Sequence, residues 1–88
     1  KRWDGKWRLI VFDVPERIRH LRDNLRTSLR RLGLHPIQQS VWLFPYPCED
    51  IVHLLKVDLG LGHGVQYFTV GSFGDRDEEK AWRFHFDV

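Results

Sequence analysis

Hydrophobic positions along the chain fall into blocks whose periods differ. Residues 9–12 (Leu-Ile-Val-Phe) are apolar without a break and rich in β-branched and aromatic side chains, which predicts a central strand. That strand stops at Asp13, and Pro15-Glu16 follow as a helix start. From there Ile18, Leu21, Leu25, Leu29 and Leu32 recur at intervals of three and four residues, so a helix is expected over residues 15–32, closed by Gly33. Residues 34–44 alternate imperfectly around Pro36 and predict one bent strand or a tight hairpin bending at Gln38-Gln39-Ser40, ended by Pro45-Tyr46-Pro47.

A second, shorter helix is expected over residues 48–59, with Ile51, Leu54, Leu55 and Leu59 on its buried face and Gly60 closing it. Residues 65–73 predict a strand and residues 74–79 a charged turn. Trp82, Phe84, Phe86 and Val88 then alternate with Arg83, His85 and Asp87, a period of two that predicts a final strand with an aromatic face. An uncovered strand of that kind invites association. Trp82, Phe84 and Phe86 are accordingly expected at a homodimer interface. The element order predicts an α+β domain: the ferredoxin-like βαββαβ plan with an additional C-terminal strand.

Composition narrows the class. Eighty-eight residues, 42% hydrophobic and 14% aromatic, make one small domain with a real core. The absence of methionine, Lys1 included, leads to the expectation of a domain excised from a longer chain. A lone cysteine, Cys48, excludes an internal disulfide and fits a reducing, cytoplasmic setting. No apolar run reaches the ~20 residues of a membrane span. Residues 1–6 predict a leading loop turning at Asp4-Gly5, with Trp3 and Trp7 packing the strand's entrance.

Charge is split unevenly: residues 1–46 carry a net +6 and residues 47–88 a net −4. Arg19, Arg22, Arg26 and Arg30 form a stripe on the first helix. The stripe suits the phosphates of DNA or RNA, or equally the stems of arginines lying along a helix flank. Asp13 admits two readings, a cap paired with Glu16 at capping-box spacing or a functional carboxylate at a strand's C-terminal end. The five histidines have no metal-ligand spacing. Ser40 reads as a bend-stabilising hydroxyl and Cys48 as a packing residue. Residues 60–64 are glycine-rich without the lysine and hydroxyl of a phosphate loop, and read as a connector.

The strand ending in Asp13, the arginine-rich helix ending Leu32-Gly33, and Ile37-Gln38-Gln39-Ser40-Val41-Trp42 together resemble the CRISPR-associated protein 2 family. Trp3-Asp4-Gly5-Lys6-Trp7-Arg8-Leu9, Phe12-Asp13-Val14-Pro15-Glu16 and Ser40-Val41-Trp42-Leu43 more closely resemble the middle domain of the phenylacetate-operon repressor (PaaX) family. The second resemblance implies a dimerising, nucleic-acid-associated module of a transcriptional regulator. The first implies the alternative, a dimeric adaptation scaffold working with the CRISPR integrase, or a metal-dependent endonuclease. In that case the Asp13 side chains of two subunits would approach across the dimer interface and hold Mg²⁺ or Mn²⁺, and the metal would activate water for phosphodiester hydrolysis. Leu43 departs from that family's frequent glutamate.

Overall fold

The computed structural model describes residues 2–88. Strand β1 (Trp7–Val11) leads through a 3-10 segment (Glu16–Leu21) into helix α1 (Arg22–Arg31). Strands β2 (His35–Gln38) and β3 (Val41–Phe44) form a hairpin. Helix α2 (Glu49–His53) widens into a π-helical turn (Leu54–Asp58), and a 3-10 turn (Gly62–Gly64) precedes strand β4 (Gln66–Val70). Helix α3 (Arg76–Phe86) ends the chain's regular structure. Of the leading loop, Lys1 lies outside the described residues. Asp4 and Gly5 make the expected turn, with the Lys6 amide donating to Asp4 Oδ1 (3.0 Å) and Gly5 at φ 81°.

The four strands form one antiparallel sheet in the order β2-β3-β1-β4. Ile10 pairs with Trp42 and Tyr67, and Leu9 pairs with Leu43 and Phe68. Because side chains alternate between faces, these two rows point opposite ways. Ile10, Phe12 and Trp42 meet Leu25 and Leu29 of α1 and Ile51, Val52 and Leu55 from the α2 region in the main core. The row carrying Trp7, Leu9 and Leu43 lines the other face. There Trp7 packs against Trp3, Phe73 and Phe86, at ring distances of 4.9, 5.5 and 6.0 Å.

The end of α1 is set by Gly33 at φ 101°. The Gly33 amide bonds the Arg30 carbonyl and the Leu34 amide bonds the Leu29 carbonyl, both at 3.0 Å. This is the Schellman arrangement, and it brings buried Leu34 back over buried Leu29. The expected helix over residues 15–32 is not continuous, however. Ile18, a β-branched residue, leaves the helical region (φ −125°, ψ 23°). The adjacent Arg17 guanidinium donates to the Gly60 carbonyl (3.0 Å), tying this turn to the end of the α2 region. Leu32 correspondingly stands 54% exposed instead of extending the buried stripe.

A larger correction concerns residues 82–88, where the expected strand is absent and α3 stands instead. Asp75 accepts from the Asp77 and Glu78 amides (2.9 and 3.1 Å), a side-chain cap that starts a helix in the stretch expected to be a turn. Trp82 and Phe86, one helical turn apart, face inward, Trp82 against His35 and Phe86 against Trp7. Phe84 is thereby turned away from both and is 89% exposed. The three aromatics do not share one strand face. Asp87, at φ 58°, closes the helix. Among the described residues no helix is long and apolar enough to cross a membrane.

Candidate functional site

The candidate site lies where β1 runs out. Beyond Val11, Phe12 keeps one more bond to the neighbouring hairpin, its amide donating to the Ser40 carbonyl at 2.9 Å. Asp13 is exposed, and its Oδ1 accepts a hydrogen bond from the Ser40 hydroxyl across the two connections. It does not cap a helix. The residue flanking the 3-10 segment is Pro15, with no side-chain cap bond, so the capping reading of Asp13 is set aside. The Ser40 hydroxyl, expected to serve its own bend, instead ties the hairpin turn to the end of β1.

Arg19, Arg22 and Arg26 line a hollow of about 320 Å³ together with Asp13, Glu16 and Gln39, above a floor that includes Phe12 and Trp42. Arg30 does not line it. Arg22, Arg26 and Gln39 also border a second hollow beside Pro36 and Gln38. Arg19 is paired with Glu16 at 3.3 Å, both side chains being well exposed. Arg26 donates to the Gln39 carbonyl (3.3 Å), and its guanidinium carbon lies 5.2 Å from the Trp42 ring centre. That is within cation–π reach. Arg22 has no side-chain hydrogen bond or ion pair among the described residues. Gln39 and Trp42 belong to the site although sequence reasoning did not assign them to it. The Gln-Gln-Ser bend was the available signal, since a hairpin turn beside the end of β1 must face whatever Asp13 faces.

Within a single copy the donor set fits a divalent cation poorly. Among the described residues no three His, Cys, Asp or Glu side chains gather where an ion could sit. Asp13 and Glu16 share their hollow with three guanidiniums, which repel a cation. Cys48 is buried, and desolvation raises its thiol pKa, as befits a packing residue.

A separate polar cluster organises the start of β1. Arg8 is only 6% exposed and grips the Asp4 carboxylate with two nitrogens (2.8 and 2.7 Å). It also donates to the Lys6 and Pro45 carbonyls, each at 3.0 Å. The Arg8 bond holds the Asp4 carboxyl far below the usual carboxylate range. Asp4, Gly5 and Arg8 sit in the first segment that resembles the PaaX family, while Asp13, Ser40 and Trp42 come from the other two.

The chain matches the family described as the PaaX protein central Cas2-like domain over residues 1–82. It belongs to that family. No curated protein and no solved structure gives a significant match. The PaaX central-domain match spans β1 through most of α3, so the hollow, the Arg8 cluster and the whole sheet lie inside it.

Proposed function

We propose that this domain is the dimerisation module of a PaaX-type transcriptional regulator acting in the cytoplasm, built on the ferredoxin-like plan with α3 in place of an additional strand. The match over residues 1–82 carries the reading. The sheet supports it. Helix α3 covers the Trp7 end of the outer face, whereas Leu9, Val11 and Val41 are half-buried and Phe68 is 46% exposed. A second copy laid on this open part removes its apolar surface from water, at roughly 25 cal/mol per Å². Arg19, Arg22, Arg26 and Arg30 give the opposite side a positive field that favours DNA without reading bases.

Light scattering on the purified protein tests the proposal. The wild type is expected as a dimer and Phe68→Lys as a folded monomer. Phe84→Ser in parallel asks whether the aromatic that α3 turns outward belongs to the interface. A monomeric wild type at micromolar concentration overturns the dimer reading.

A further inference from the structure

The hollow at the end of β1 is organised in a way that a structural role leaves unexplained. Arg22 and Arg26 lie one helical turn apart and both line it. Like charges at this spacing disfavour the helix. Arg26 is anchored by the Gln39 carbonyl and the Trp42 ring, yet the half-buried Arg22 side chain takes no partner from the described residues. Also lining the hollow is Asp13, one of whose oxygens is held by Ser40, which leaves the other free to accept. Glu16 is occupied by Arg19. The result is a small concavity with a guanidinium pair, a fixed acceptor and an aromatic floor.

We propose that this hollow binds a small phosphate monoester, the phosphate resting between Arg22 and Arg26 and an alcohol or amine of the ligand donating to Asp13. Planar guanidinium forks match phosphate oxygens in pairs. A volume of about 320 Å³ lies at the small end of ligand pockets. Duplex DNA fits less well, because a hollow of this size takes a single phosphate group, and a continuous backbone of phosphates brings no alcohol or amine to donate to Asp13. The inference goes beyond dimerisation and does not depend on it.

Isothermal titration calorimetry with inorganic phosphate, glycerol phosphate and adenosine monophosphate tests it, on wild type, Arg22→Gln and Asp13→Asn, each checked for fold by circular dichroism. Both esters are expected to bind the wild type. Arg22→Gln, which breaks no side-chain hydrogen bond or ion pair among the described residues, is expected to weaken every probe by about 10- to 100-fold, the range of a charged hydrogen bond. Asp13→Asn is expected to weaken glycerol phosphate relative to inorganic phosphate, because it removes the carboxylate to which the alcohol donates. No binding at millimolar probe overturns the proposal, as does binding indifferent to Arg22→Gln. A blunt DNA duplex lacking terminal phosphates that displaces the esters at equal or lower concentration overturns it too, and reassigns the hollow to polyanions. Oligomeric state, measured separately, leaves these outcomes intact.

Discussion

The Trp7 indole nitrogen donates to Glu79 Oε2 at 3.1 Å, joining the first strand to the last helix across 72 positions of sequence. The other Glu79 oxygen accepts from the Phe73 amide at 3.1 Å. One carboxylate therefore fastens α3 and the segment before it to the buried start of β1. Glu79→Ala is expected to lower the thermal midpoint and to loosen α3, with increased amide exchange confined to residues 76–86. Glu79→Gln, which keeps an acceptor, is expected to lose less.

Acid should act through the same residue. The bonds from Trp7 and Phe73 lower the Glu79 pKa from its ordinary value of 4.5, and Arg8 lowers that of Asp4. A carboxylate depressed in the folded state adds stability above its unfolded pKa, and that stability is lost as pH falls through the folded value. Stability from these two groups is thus flat from neutral pH to about 4.5 and declines below it. Urea titrations between neutral pH and pH ~3 should show a shallower acid slope in Glu79→Gln and in Asp4→Asn than in wild type.

Gly33 is the position least tolerant of a side chain. Its φ of 101° lies in the left-handed region, and an added Cβ would stand 3.2 Å from Phe44 Cε1. Gly33→Ala is expected to cost roughly 1–2 kcal/mol, read as a shift of the denaturation midpoint with an unchanged slope. An unshifted midpoint would mean that the helix end rearranges freely.

Metal should be dispensable. With Asp13 bound to Ser40 and sharing its hollow with three guanidiniums, duplex DNA and RNA are expected to stay intact with the protein in Mg²⁺, Mn²⁺ or EDTA. Cleavage that needs metal and disappears in Asp13→Ala would instead make Asp13 a ligand, with further donors drawn from a second copy. Asp13→Ala itself is expected to cost about 0.5–1.5 kcal/mol through the lost hydrogen bond to Ser40.

Local chemistry made much of this fold legible. The unbroken run in β1, the leucine spacing of α1 and Gly33 each contain their own cause within a few residues. The final helix is not distinguishable from a strand by its aromatics, because Trp82 and Phe86 are separated by four residues, a spacing that satisfies a strand face and a helix face alike. Asp75 with Glu78 three residues on was the deciding cap signal, hidden among six charged residues in a row of seven. At the candidate site, Arg19, Arg22 and Arg26 were visible as a stripe. That Arg30 stands outside the hollow, and that Gln39 and Trp42 stand inside it, depends on where the hairpin lands against α1. No local pattern encodes that distance.

Only Leu32, Gly33 and Leu34 separate α1 from β2, and their amides are committed to the helix end. There is no slack in this connection. Anything that draws Arg22 and Arg26 together must therefore either be absorbed within α1 as side-chain motion or be passed on as a rigid displacement of the outer hairpin.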